Sequence, residues 1–137
     1  VGLGTFHPLP DAPLSENRLH QEHYTVSPGA ATLLTKARES KRRLVAVGTT
    51  ACRVIESQQR DFNAFRSGEF STELFLKPGD NLRATDVLLT NFHAPGTSLL
   101  CLLAAFLGDA FDWKALYAHA LASDYRFLSY GDAMLIL

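Results

Sequence analysis

The sequence predicts an α/β layered domain, a mainly parallel sheet flanked by helices, and three observations carry that prediction. "LVAVG" at 44–48 and "DVLLT" at 86–90 are short apolar runs of strand length. Each ends in small polar residues and leads into a segment with helical spacing. Stretches of strand and helix character alternate along the chain, an order that right-handed crossovers convert into parallel pairs. Finally, a chain of 137 residues, 47% hydrophobic and 20% charged, is large enough to enclose a core without staples. At least three parallel strands are expected, within one domain.

The elements follow in order. "VGLGTF" at 1–6 opens at once in glycine-punctuated, strand-like sequence, which reads as the interior of a domain, and no charged-then-apolar leader marks a targeting segment. Residues 7–18, "HPLPDAPLSENR", read as a surface loop because of their prolines. "HYTV" at 23–26 reads as a short strand. Ser27 before Pro28 is an N-cap followed by proline at the first helical position. In that helix Ala30, Leu33, Leu34 and Ala37 are expected to form the buried stripe, leaving Lys36, Arg38, Glu39 and Lys41 in water.

"LVAVG" has the composition of a strand buried on both faces. "ACRVIESQQRDFNAF" at 51–65 has helical spacing, 66–73 reads as a polar connection, "ELFLK" at 73–77 as a strand, and "PGDN" at 78–81 as a turn. After "DVLLT", Thr97 or Ser98 caps "LLCLLAAFL", which is apolar all round and therefore central. The next helix places Trp113, Leu116, Tyr117, Ala120 and Leu121 on one face. "YRFLSYGDAMLIL" at 125–137 is a polar aromatic turn feeding a final buried strand.

Composition narrows the function classes. With 13 basic and 14 acidic residues, the formal charge is −1, so no global field draws nucleic acid or an anionic membrane to the chain, and a nucleic-acid partner needs a local patch. The longest apolar run, Leu99 to Leu107, is too short to span a bilayer. Cys52 and Cys101 lie among apolar neighbours without metal-ligand spacing and read as free thiols, which fits a reducing cytoplasm.

Ligands of open α/β sheets bind beyond the carboxyl ends of the strands, where helix N-termini point outward. Two segments share that design: "VAVGTTACR" puts Gly48, Thr49, Thr50 and Arg53 after a strand, and "LLTNFHAPGTS" puts Thr90, Asn91, His93, Thr97 and Ser98 in the matching place. The threonines and serines read either as plain helix caps or as ligand contacts. His93 reads either as a hydrogen-bonded structural residue or as a catalyst. In "HQEHY", His20 and Glu22 share one face of a strand and His23 takes the other, which suits acid–base or ribose-hydroxyl contacts or a solvated surface; no third ligand at a recognised spacing supports a metal site. "GLGT" is only the first half of a dinucleotide fingerprint. "YRFLSYGDAM" groups Arg126, Tyr130 and Asp132 around Gly131, either as a turn or as a cation, a stacking face and a carboxylate for a ligand.

Taken together, "VGLGTF", the His20–Glu22 pair, "AVGTTACRVIES", "LLTNFHAPGTSLL" and "YRFLSYGDAMLI" resemble, in the same order, the S-adenosylmethionine:tRNA ribosyltransferase-isomerase family of queuosine biosynthesis. Family members carry an N-terminal segment and a β-barrel domain before the "VGLGTF" block. The resemblance therefore assigns 1–137 to the carboxyl-terminal α/β part and implies an incomplete layered domain. It also implies the reaction. The ribosyl group of S-adenosylmethionine, a consumed co-substrate rather than a cofactor, passes to the 7-aminomethyl-7-deazaguanine of tRNA and rearranges to epoxyqueuosine, while adenine and methionine leave. On this resemblance His93, Asp132 and Glu22 are the catalytic candidates, and Thr49, Thr50, Arg53, Asn91, His20, Arg126 and Tyr130 the substrate-binding ones, with no metal. The chain departs from the family pattern at Asn17, where a histidine is usual, at Gly96, where a charged residue often stands, and at Ser71, in place of a common tryptophan. These departures leave open a divergent acceptor, or a nucleoside- or tRNA-binding module without catalysis. The missing glycine-rich loop argues against a methyltransferase.

Overall fold

A computed structural model describes residues 9–137, so the expectations for "VGLGTF" and its half fingerprint lie outside the described residues. The order of elements is β1 (Glu22–Val26), α1 (Pro28–Glu39), β2 (Val45–Val47), α2 (Thr49–Phe62), β3 (Gly68–Thr72), β4 (Val87–Asn91), α3 (Ser98–Leu107), α4 (Trp113–Ala122) and β5 (Ala133–Ile136). The α/β class holds; the mainly parallel sheet does not. β1 and β3 make an antiparallel ribbon, and a second sheet has the order β2-β4-β5. Within it only β2 and β4 run parallel, with Ala46 opposite Leu88, whereas β5 returns antiparallel with Ala133 opposite Asn91. The cause is helix count. One helix between two strands carries the chain back to the starting end, but both α3 and α4 lie between β4 and β5, so the chain re-enters at the carboxyl end of β4.

α1 begins as its sequence predicts, with the Ser27 hydroxyl accepting from the Ala30 N–H at 3.2 Å. Its buried stripe is rotated from the expected one: Ala31 is buried, with Leu34 and Ala37 packed against the core, while Ala30 is exposed and Leu33 is 71% exposed. The strand expected at 73–77 is also displaced. Pairing runs through 68–72, where Phe70 lies opposite Tyr24 with ring centroids 5.5 Å apart, and Leu74 and Leu76 instead reach the core from an irregular segment. Cross-strand aromatic contact outweighs the apolar count of "ELFLK".

The main core lies between the β2-β4-β5 sheet and helices α2 and α3, built from Leu44, Ala46, Cys52, Ile55, Leu88 and Leu102. α3 is central as expected. The outer strands of the sheet are covered on one face only, whereas Val87 and Leu88 bury both faces of β4. Val45 and Val47 are 54% and 67% exposed and Leu135 is 58% exposed, so neither β2 nor β5 is buried on both faces. On α4, Tyr117 and Ala120 are buried but Leu121 faces solvent. Cys52 is buried and Cys101 half-buried, both as free thiols; burial pushes the Cys52 thiol up to about 12. No helix among the described residues is long and apolar enough to cross a membrane.

Two carboxylates join the sheet to its surroundings. Asp86 accepts from the Leu44 N–H at 2.7 Å and returns its own N–H to the Leu44 carbonyl at 3.0 Å, which sets β2 beside β4. Glu56, fully buried on α2, accepts from the N–H groups of Arg83, Ala84 and Thr85 at 2.7, 3.0 and 2.8 Å. It thereby satisfies the backbone donors of the segment that leads into β4.

Candidate active site

The parallel pair β2 and β4 ends on the same side of the sheet, and the loops that follow converge there. A cavity of about 430 Å³ opens between them, lined by Thr49 and Thr50, by Thr90, Asn91 and His93, and by Leu128 and Ser129 among others. Gly48 makes the first bend. Its φ of +87° lies in the region that favours glycine, its N–H donates to the Leu89 carbonyl at 2.8 Å, and α2 begins at the next residue. No side chain caps α2, so its N-terminus keeps amide donors and the positive end of its dipole at the cavity. Thr97 caps α3, accepting from the Leu100 N–H at 3.4 Å and donating to the Ala94 carbonyl at 2.8 Å.

His93 is held from two directions. Its backbone N–H donates to the Tyr117 phenol oxygen at 2.8 Å, and its ring Nε2 lies 2.8 Å from the Thr90 hydroxyl. Behind it Phe92 packs against Tyr117 and Phe127 with ring centroids at 5.7 and 5.0 Å. The residue is only 9% exposed, and burial pushes its pKa down to about 4, which keeps the ring neutral at physiological pH.

The 125–132 turn forms the third wall. Leu128 donates its N–H to the Phe92 carbonyl at 2.9 Å, and Asn91 Nδ2 donates to the Asp132 carbonyl at 3.2 Å. Asp132 accepts from the Arg126 N–H at 2.7 Å, so its carboxylate closes the turn on itself. A Cβ at Gly131 would stand 2.2 Å from the Arg126 carbonyl oxygen, so no other residue fits there without moving backbone. Leu128 adopts φ +69°, a conformation rare for a branched side chain, at the cavity wall.

The sequence-derived candidates are therefore split. Thr49, Thr50, Asn91 and His93 share one cavity. Glu22 and Arg53 form a buried ion pair that ties β1 to α2, with Arg53 Nε also donating to the Leu74 carbonyl at 3.1 Å, and neither lines that cavity. His20 precedes β1 and is exposed. Arg126 is exposed too, and Tyr130 is fully exposed; neither lines the cavity, although their neighbours Leu128 and Ser129 do. A second, more open hollow of about 820 Å³ lies between the β1–β3 ribbon and α2 and shares Thr50. Sequence reasoning singled out neither Leu128 and Ser129 nor the support from Tyr117. The spacing of Thr90 three residues before His93 was the one signal for their contact. Among the described residues, no group of three or more His, Cys, Asp or Glu side chains gathers to hold a metal ion.

Comparison with known proteins adds a family to this geometry. A model described as queuosine biosynthesis protein matches residues 1–136. The S-adenosylmethionine:tRNA ribosyltransferase-isomerase of Hyphomonas neptunium is 52% identical over all 137 residues, and that of Syntrophomonas wolfei 46%. The chain spans 39% of the length of each. Among solved structures, the S-adenosylmethionine tRNA ribosyltransferase of Thermotoga maritima superposes with a TM-score of 0.75 at 41% identity, covering 84% of this chain and 40% of that one.

Proposed function

The chain belongs to the family of queuosine biosynthesis proteins, and from that membership we propose that it forms the nucleoside site of an S-adenosylmethionine:tRNA ribosyltransferase-isomerase. The reaction proposed moves the ribosyl group of S-adenosylmethionine onto 7-aminomethyl-7-deazaguanine in tRNA and isomerises it to epoxyqueuosine, releasing adenine and methionine. S-adenosylmethionine is consumed, no cofactor is required, and the tRNA substrate makes the reaction cytoplasmic. The observation that carries this reading is the convergence of Thr49, Thr50, Asn91 and His93 on one nucleoside-sized cavity at the carboxyl ends of a parallel strand pair.

The chemistry asks for specific things of such a site. The sulfonium acidifies the adjacent ribose 5′ C–H, whose proton must go to a base, and the departing adenine needs hydrogen-bond donors. The threonine hydroxyls and the N-terminus of α2 suit ribose hydroxyls or a carboxylate. Asn91 and the neutral ring of His93 suit the reacting nucleoside. Glu22 with Arg53, and Asp132 with the turn it closes, hold the walls in place. Beside the rim, Tyr130 offers a stacking face and Arg126 a cation to the tRNA, with His20 on the exposed stretch before β1.

The test is adenine release from S-adenosylmethionine by the intact protein with substrate tRNA. We expect release that depends on tRNA and falls by about 100-fold or more in His93→Ala, the scale of a lost proton-handling or hydrogen-bonding group in a transition state. Unchanged turnover in that variant would take His93 out of the chemistry. Binding of S-adenosylmethionine without adenine release would favour a module that recognises but does not react, and adenosylhomocysteine with a methylated product would favour methyl transfer.

A further inference from the structure

The cavity contains one hydrogen bond whose direction decides what its histidine can do. The Thr90 hydroxyl is buried, 2.8 Å from His93 Nε2, and that nitrogen is its one side-chain partner among the described residues. A neutral imidazole carries its proton on one nitrogen and a lone pair on the other. Were the proton on Nε2, the ring would donate to the Thr90 oxygen, and the hydroxyl hydrogen of a residue only 5% exposed would have no side-chain acceptor among the described residues. Were Nε2 unprotonated, the hydroxyl donates to it, and the ring's N–H is carried by Nδ1, which is not among the buried atoms left without a partner.

We propose that Thr90 holds His93 as the Nδ1–H tautomer, so that the ring meets its ligand as a neutral hydrogen-bond donor and not as the base that removes the ribose proton. The lone pair a base would need is already occupied by the threonine. Nδ1 makes no hydrogen bond to the described residues, and His93 lines the cavity, so Nδ1–H is the edge available to a ligand. Its counterpart is an atom with an accessible lone pair, such as a ring nitrogen of the departing adenine, where electron density grows as the glycosidic bond breaks. No proton leaves or enters His93 in this role. Burial, which keeps the ring uncharged, is consistent with it. Thr90 acts through His93 and is a positioning residue. This inference deepens the proposed function and rests on it for the identity of the ligand, but the tautomer itself does not.

The experiment is nitrogen NMR on the intact protein labelled in its histidines, five of them in this chain, with the His93 signals identified by their loss in His93→Asn. The expected spectrum has the proton on Nδ1 and the unprotonated resonance on Nε2, in the natural protein and in Thr90→Ser. Thr90→Val, which lacks the hydroxyl, is expected to give a mixture of tautomers and a kcat for adenine release lowered about tenfold with KM unchanged, the scale of one misdirected hydrogen bond. His93→Asn, whose amide N–H reaches close to the Nδ1 position, is expected to retain more turnover than His93→Ala. A proton on Nε2 in the natural protein overturns the proposal, as does an unaltered tautomer in Thr90→Val. Should Thr90→Val not fold, the natural protein and Thr90→Ser still decide the matter. The Nδ1–H tautomer in a protein that releases no adenine would refute the proposed reaction and leave the proton assignment standing.

Discussion

At the scale of single residues, His93 couples ionisation to folding. Its folded pKa is pushed from 6.5 down to about 4 by burial, so between those values the unfolded chain binds a proton that the folded one refuses. The sign follows: this contribution is fully present above about pH 6.5, declines as pH falls, and is exhausted near pH 4. The difference in unfolding free energy between pH 7 and pH 4 is expected to be smaller in His93→Gln than in the natural protein, by up to about 3 kcal/mol. Denaturant titrations of both proteins at the two pH values check this; equal pH dependence would show that the ring is not buried neutral. The position of this histidine was legible in "TNFH", because polar side chains between two apolar segments mark the mouth of a strand-to-helix loop. Its proton was not, since that depends on Thr90 turning its hydroxyl inward. Nor did sequence reveal that Arg53 is spent on Glu22, a partnership of residues far apart in the chain.

At the scale of elements, the approach to β4 depends on a side chain that belongs to α2. Glu56 accepts three backbone N–H groups in a buried setting. Glu56→Ala leaves all three without an acceptor and is expected to cost about 3–5 kcal/mol. Glu56→Gln keeps one oxygen but turns an amide N–H toward a donor, and is expected to cost about 1–2 kcal/mol. Chemical denaturation of the two variants measures the ranking, and an equal loss in both would mean that the oxygen kept by the amide recovers none of the bonding. Sequence placed Glu56 on a helix but could not say where it points. The reversed direction of β5 is a different case. Two helical segments were visible between the last two strands, and counting them already required the final strand to run back. The ribbon partner of β1 was obscured because "GEFST" has a single large apolar residue, while the more apolar "ELFLK" next to it never pairs.

At the scale of the whole molecule, the α/β class, most helices and the cavity-lining loops could be read from the chain, because helix caps and strand-end threonines are local signals. Layering could not, since it depends on what covers each face. Val45, Val47 and Leu135 are exposed on one face of the sheet, on either side of the more buried β4. Exposed apolar side chains grouped in this way associate in water. The isolated 137-residue chain is expected to self-associate as its concentration rises, and Val47→Lys with Leu135→Lys to shift it toward monomer. Sedimentation velocity reads both; a monomeric natural chain at high concentration would show that the face is innocuous.

The antiparallel return of β5 settles a practical question as well. The strand starts beside Asn91 and retreats toward Leu88, so the polypeptide after Ile136 emerges about 10 Å down the sheet from the cavity mouth. A fluorophore or purification handle fused behind Leu137 would point away from incoming ligands, whereas the same cargo grafted into the Tyr130 turn would stand in the doorway.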